Sequence, residues 1–428
     1  MAGDDPLLAA AEGVLRGNDL GDYTKPSPRL YPHQWNWDSA LVAIGWAHLD
    51  WPRAAREIES LLEAQWTDGM LPHIRYNPTV TDYHPGPEWW PDVPVRRKGV
   101  RTSGISQPPV LGAAVHTVGL LQPDASTRLT WWARVYDPVR EALLYFARHR
   151  TVGGSPLVAI IHPWESGLDN SPRWDFAVRG GLRPSRPYRR VDNTIVAAAH
   201  RPTQADYDLY MHLVEWIAAD YRVGSRLAQA PFLVYDALFN AAWFRSALDL
   251  NRIAAALDRP PAVSDADLDA FRAAYHATLW HAPSLLFRDV DVRGGTQIPV
   301  DTVAGLIAIY GGLVSADQAA AMMARYRQRC RGCRMVPSVP PDQPAFDPHR
   351  YWRGPVWVHV NWLIVRGLEA LGLRDEAASL AEETLALVRR AGLHEYYDPY
   401  TDAGLGGPDF SWPAALAIDL VRRPVAGA

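Results

Sequence analysis

Apolar residues recur along most of this chain at spacings of three and four, the period of a helix buried on one face. Ser39 to Trp66 carries that pattern, broken near Asp50-Trp51-Pro52. Asp206 to Tyr221, Tyr235 to Leu257 and Asp265 to Trp280 read as further helices. Other ends are marked by punctuation. Asp137-Pro138 has the form of an N-cap followed by proline at the first helical position, opening a helix over Val139 to Arg148. Ser315-x-x-Gln318 is a capping-box pattern ahead of Ala319 to Arg327. Val356 to Leu371 and Asp375 to Arg390 are amphipathic and stop at Gly372 and Gly392, both suited to C-caps. A last helix is expected over Pro413 to Arg422. Alternation is confined to Leu286 to Val292, which predicts a short hairpin.

The helices recur roughly every 30–40 residues, the spacing of stacked helix pairs, although the units do not repeat in sequence. There is no βαβ rhythm, no glycine-rich dinucleotide fingerprint and no phosphate loop. The stretches between helices are long: Pro72 to Pro109, Ile161 to Pro202, Val336 to Gly354 and His394 to Trp412. They are rich in Pro, Gly, Trp, Tyr, Asp and Arg. Structureless connections of this length in a compact domain are usually functional. The pattern predicts an all-α scaffold, one domain over 1–428, with a site built from loops at one end and a lid-like loop at about 72–109.

Composition narrows the function. The 428 residues carry a net charge of −4 with 21% charged side chains, so neither nucleic acid nor an anionic membrane is an expected partner. No run of about 20 apolar residues exists to span a membrane. The opening MAGDDPLLAAAEG has acids where a signal peptide needs bases, and a cytoplasmic setting is expected. Cys330 and Cys333 form a C-x-x-C without a second pair or nearby histidines, and are read as two reduced thiols rather than a zinc site. The 18 Trp and 18 Tyr against 9 Phe are unusual. Trp and Tyr pair a flat apolar face with a polar tip, which matches a sugar ring. Core packing takes many of them, so position decides.

Four segments concentrate candidate chemistry. His162 to Asp175 places three carboxylates, Glu165, Asp169 and Asp175, beside two tryptophans and an arginine. Apolar neighbours raise a carboxyl pKa and keep it protonated, as a general acid requires. The alternative is a loop tied by Asp–Arg pairs and caps. Leu393 to Tyr400 places Glu395 after a helix stop among three tyrosines, as a candidate general base or a structural partner of an arginine. Tyr351 to Trp362 and Tyr31 to Asp38 put aromatic residues at helix starts, either lining a pocket or packing the core. H-E-x-x-H, G-x-S-x-G and a Cys/His nucleophile pair are all missing from the sequence, so metal hydrolysis and acyl transfer have little support.

In that order, E-S-G-x-D-N-S-P-R-W-D, Y-W-R-G-P-x-W and H-E-Y-Y-D-P-Y-T resemble glycoside hydrolase family 63 and its trehalase relatives, from about Tyr31 to Trp412. Within it the chain is most similar to compact enzymes that hydrolyse mannosylglycerate and glucosylglycerate, through features such as Tyr31-Pro-His-Gln-Trp, Tyr83-His-Pro-Gly-Pro, Thr102-Ser-Gly-Ile-Ser-Gln107 and Arg201-Pro-x-x-x-Asp-Tyr207-Asp. The resemblance implies an (α/α)6 barrel. It implies Asp169 as general acid and Glu395 as general base. Tyr31, Trp35, Asp38, Gln107 and Gly167 would hold the sugar. Tyr83, Arg201, Tyr207, Tyr351 and Trp352 would hold the glycerate.

The resemblance further implies inversion at the anomeric carbon, which needs the two carboxyls roughly 6.5–9.5 Å apart to admit a water. No cofactor or metal is expected. The expected partner is a small glycoside of the compatible-solute type, and homo-oligomerisation is left open. An α-glucosidase or trehalase acting on another α-linked disaccharide is the nearest rival. A sugar-binding protein that has lost catalysis is the second. Glu165 and Asp175 are assigned structural roles, because the family pattern puts catalysis at the Asp of G-x-D.

Overall fold

The computed structural model describes residues 5–91 and 99–423. Among them, six helices form an inner ring: Asn36–Ala47, Leu111–Leu120, Ala237–Ala256, Ala308–Gly311, Val358–Ala370 and Ser411–Arg422. Each packs on the next, and the last closes on the first. Six outer helices alternate with them in the chain: Pro6–Asn18, Trp51–Glu63, Ala125–His149, Asp265–Leu279, Ala316–Arg329 and Arg374–Ala391. This is the (α/α)6 barrel that the family resemblance implies.

The two rings differ in residue pattern for a physical reason. Every residue of Asn36–Ala47 is buried, as expected of a helix apolar all round. The outer helix Arg374–Ala391 instead buries Ala377, Leu380, Ala381, Thr384, Leu387 and Val388, one stripe at spacings of three and four. Inner helices also approach closely. A Cβ on Gly45 would lie 2.4 Å from the Ala415 Cα, so only glycine lets the first and last inner helices meet.

The connections are as unequal as the helices. Those from inner to outer helices are short, at 48–50, 121–124, 257–264, 312–315 and 371–373. Those from outer to inner helices are long, at 19–35, 64–110, 150–236, 280–307, 330–357 and 392–410. Antiparallel pairing therefore puts all the long segments at one end of the barrel, where the inner helices begin. Short ladders pin them: Gln34–Trp35 with Ile74–Arg75, and His394–Tyr397 with Gly404–Pro408. Of the 72–109 segment, residues 92–98 lie outside the described residues.

One local expectation is corrected. Pro138 does not open a helix; it sits inside the 25-residue helix Ala125–His149. The cap is Asp124, whose side chain accepts from the Thr127 amide at 2.7 Å. Trp131, Trp132, Val135 and Tyr136 are buried ahead of Pro138, and Val139, Leu143 and Phe146 after it. That continuous face offsets the roughly 3 kcal/mol that an interior proline costs. Leu286 to Val292 does pair in short hairpins, a separate one for each half. Leu286–Phe287 pairs with Trp280–His281, whereas Val290–Asp291 joins a second sheet between Val234–Tyr235 and Thr296–Gln297. Two residues separate the halves, enough for the chain to leave one ladder for the other.

Candidate active site

Asp169 hangs from a turn held by a series of hydrogen bonds. His162 caps a short helix over Pro163–Ser166 by accepting from the Trp164 amide through Nδ1 at 3.0 Å, while its Nε2 donates to the Tyr210 carbonyl at 3.0 Å. One nitrogen accepts and the other donates, so the ring is neutral, and burial pushes its pKa down to about 4. Gly167 then turns the chain with φ +72°, and a Cβ there would lie 2.6 Å from the Trp37 ring. The Tyr210 hydroxyl donates to the Asp169 carbonyl at 2.8 Å and fixes the backbone behind the acid. Gly167→Ala is expected to cost about 2 kcal/mol or more, from overpacking against Trp37 and the left-handed backbone together. Urea denaturation of both proteins checks it.

The neighbouring carboxylates are committed elsewhere. Arg150 meets Glu165 with two hydrogen bonds of 3.0 and 2.9 Å, and the Ser106 and Ile161 amides add two more. Arg353 meets Asp175 with two of 2.8 Å. The same loop is locked to the Tyr351 segment, 182 residues away, by the Trp352 amide donating to Asn170 Oδ1 at 2.9 Å. The two motifs are thus two halves of one surface.

Glu395 lies in a strand, not a loop. It belongs to His394–Tyr397 and is folded against Gly404–Pro408. The Gly407 amide donates to its Oε2 at 3.1 Å. A Cβ on Gly406 would lie 2.3 Å from that oxygen, so the glycine makes room for the carboxylate. The hydroxyls of the adjacent tyrosines point away: Tyr396 donates to the His200 carbonyl and Tyr397 to the Gly392 carbonyl. The donor to Glu395 is Tyr31, at 2.8 Å from Oε1. Proximity in sequence selected the wrong tyrosines.

A chain of hydroxyls joins the two carboxylates. Tyr351 donates to Asp169 Oδ2 at 3.5 Å, lies 3.2 Å from the Tyr31 hydroxyl, and Tyr31 donates to Glu395 at 2.8 Å. Laid end to end, these links cap the separation of the two carboxylate oxygens at the upper edge of the roughly 6.5–9.5 Å typical of an inverting pair. Tyr351 holds its place with φ +42°, an uncommon backbone for a bulky side chain. Arg201 lies 4.1 Å over its ring, donates to the Tyr31 hydroxyl at 3.0 Å and reaches Glu395 Oε1 at 3.4 Å.

Electrostatics separates the two acids. Burial pushes Asp169 up to about 7, and the Glu395 charge adds to this while Arg201 opposes it. Burial also raises Glu395, against Arg201, the Tyr31 hydroxyl and the Gly407 amide. Glu395 thus has direct donors for its charged form, and Asp169 has one long one. Asp38, buried near both, is pushed well above the usual carboxylate range by burial.

Two adjoining cavities share Tyr31, Trp35, Gln107 and Asp169 in their walls. Asp38, Gly167, Trp37 and Trp412 line the inner one alone, together with Tyr351. Tyr83, Arg201, Tyr207 and Asp192 line the outer one alone. Asp169 is therefore at the junction. Trp352 lines neither; it is buried and stacked on Trp357 at 3.7 Å. Sequence reasoning missed Asp192 and Arg190. Arg190 grips Asp192 with bonds of 3.1 and 2.8 Å and stacks 3.9 Å from the Tyr207 ring, while Arg201 Nε lies 3.4 Å from Asp192. Arg190 ends a locally basic stretch from Arg179, and Asp192 follows it with no motif of its own. Among the described residues no group of three or more His, Cys, Asp or Glu is placed to hold a metal ion.

Residues 31–413 match the family model of the mannosylglycerate hydrolase MGH1-like glycoside hydrolase domain. The chain belongs to this glycoside hydrolase family. Members similar to it include a mannosylglycerate hydrolase of Rubrobacter radiotolerans, 38% identical over 97% of each chain. A glucosylglycerate hydrolase of Mycolicibacterium hassiacum is 35% identical, over 96% of this chain and 97% of its own. The family 63 mannosylglycerate hydrolase of Thermus thermophilus, crystallised in complex with Tris and D-glycerate, superposes with a TM-score of 0.90 at 37% identity, covering 96% of this chain and 99% of that one. This family member is a glycoside hydrolase. None of its described helices is long and apolar enough to cross a membrane.

Proposed function

We propose that this hydrolase cleaves a hexosyl glycerate, mannosylglycerate or glucosylglycerate or both, to hexose and glycerate with inversion at the anomeric carbon. One observation carries the reading: Asp169 stands between a carboxylate- and aromatic-lined inner cavity and an outer cavity that presents a guanidinium, Arg201. A hexose ring stacks on tryptophan and hydrogen-bonds Asp38 and Gln107. A glycerate carboxylate suits Arg201 with hydroxyl donors from Tyr83 and Tyr207. Its relatives act on these two substrates, and the matched segment includes all of these residues.

In the reaction, the bond from the anomeric carbon to the glycerate oxygen breaks as Asp169 gives that oxygen its proton. A water on the opposite face of the ring loses a proton to Glu395 and bonds to the carbon. Asp169 ends ionised and Glu395 protonated, and one exchange of protons with solvent resets them. Trp35, Tyr31 and Gln107, shared by both cavities, hold the bond across the acid. Asp192 acts through Arg201 as a positioning residue. Asp192→Asn is expected to raise KM for a hexosyl glycerate about tenfold, leaving kcat within a few-fold. Equal losses in both would remove that role.

The test is release of glycerate and hexose from mannosylglycerate, glucosylglycerate and trehalose offered separately. Release from either glycerate glycoside supports the reading. Release from trehalose alone would keep the carboxylate pair and overturn the roles given to Arg201, Tyr83 and Tyr207. No release from any of the three would point to another small α-linked glycoside as the substrate.

A further inference from the structure

The site holds one unusual sharing of charge. Arg201 is buried, and its three nitrogens serve different partners: Nε lies against Asp192 at 3.4 Å, Nη2 donates to Tyr31 at 3.0 Å, and Nη1 reaches Glu395 at 3.4 Å. The same guanidinium faces the outer cavity. The cation that would receive the leaving group's carboxylate is therefore already engaged with the carboxylate assigned as base. Asp192, gripped by Arg190, keeps the guanidinium at this junction, and Tyr351 supports its flat face.

We propose that the substrate's own carboxylate switches on the base: on binding, it competes with Glu395 for Arg201, and Glu395 becomes more basic only when an anionic leaving group is in place. The inference rests on the hexosyl glycerate reading above. It makes Arg201 a determinant of specificity in the chemical step as well as in binding. A neutral glycoside would leave Glu395 paired with Arg201 and weakly basic. An anionic one would draw the positive charge toward itself and strengthen the attack on water. The titratable and charged groups that act on Glu395 or are acted on by it are Tyr31, Asp38, Asp169, Arg201, Tyr351 and Tyr396. Of these, Arg201 exerts the largest influence opposing the effect of burial on Glu395.

The experiment is the pH profile of kcat for purified wild-type enzyme on two glycosides of one hexose, the glycerate and the glycerol, in which a CH2OH replaces the carboxylate. Glu395 must be ionised to act, so its pKa in the complex sets the acid limb. That limb is expected about one pH unit higher with the glycerate, since an opposite charge at this range shifts a carboxyl by about that much or more. Arg201→Gln is expected to move the limb upward with the glycerol glycoside, because the pairing is gone without any anion. Coincident limbs for the two substrates in the wild type would overturn the coupling, and so would an unmoved limb in Arg201→Gln. The wild-type comparison decides alone if that variant does not fold. Failure to release glycerate at all would sink the substrate reading and the coupling with it. Release with coincident limbs sinks the coupling only.

Discussion

Asp169→Asn is expected to lower kcat by about 10²–10⁴-fold and to leave KM within a few-fold. The substitution is isosteric, and the backbone behind it is fixed by the Tyr210 hydroxyl and the turn at Gly167. What is lost is the proton. A glycerate alkoxide is a poor leaving group, and an amide does not protonate it. Equal falls in kcat and kcat/KM, with KM unchanged, would mark an interaction made only in the transition state. The wild type carries a second signature. Asp169 has a folded pKa raised to about 7, so it is protonated below that pH and loses its proton as pH rises through it. For the free enzyme, kcat/KM should therefore fall above about pH 7, and the residual activity of Asp169→Asn should lack that limb. An unchanged kcat in the variant would remove Asp169 from the role. Glu165 and Asp175 would not replace it readily, because each is already paired with an arginine through two hydrogen bonds.

The scaffold was legible in the sequence where helices are amphipathic. Arg374–Ala391 and Gln204–Ala219 show a stripe, and a stripe has a period. Leu111–Leu120 escaped because it is made of small and apolar residues buried on nearly every side, which leaves no polar face to count against. Pro138 misled because a local rule, proline at a helix start, was overruled by a buried face that spans it. For the site, the motifs pointed to the right segments, and the fold shows why they travel together: Asn170 meets Trp352 and Tyr31 meets Glu395. The partners themselves were not legible. Asp192 has no motif, and its meaning lies in its contacts with Arg190 and Arg201 in space. Trp352 shares a motif with Tyr351 yet lies flat on Trp357 and away from both cavities, because the two residues sit in a turn with Tyr351 at φ +42°, which sends their side chains different ways.

Glu395→Ala is expected to lower hydrolysis by about 10²–10⁴-fold, and to do so differently from Asp169→Asn. Without the carboxylate, no group on that side of the ring takes the water's proton. Tyr31, its hydroxyl donor, is pushed well above the usual phenol range by burial and does not substitute as a base. The missing carboxylate leaves space beside the Gly406–Gly407 turn. A small anion such as azide, which needs no base, can enter that space and attack the anomeric carbon while Asp169 still protonates the leaving group. Added azide is thus expected to restore glycerate release in Glu395→Ala, and to yield the glycosyl azide with inverted configuration. The same addition should do nothing for Asp169→Asn, which still lacks the proton. A glycosyl azide of retained configuration, read by NMR, would place the attack on the wrong face and break the assignment of Glu395 as base. Rescue of the Asp169 variant instead would exchange the two roles. The combination tests the pair as a pair: one carboxyl protonated on the side of the outer cavity, the other ionised and held by Tyr31, with the hexose ring between them.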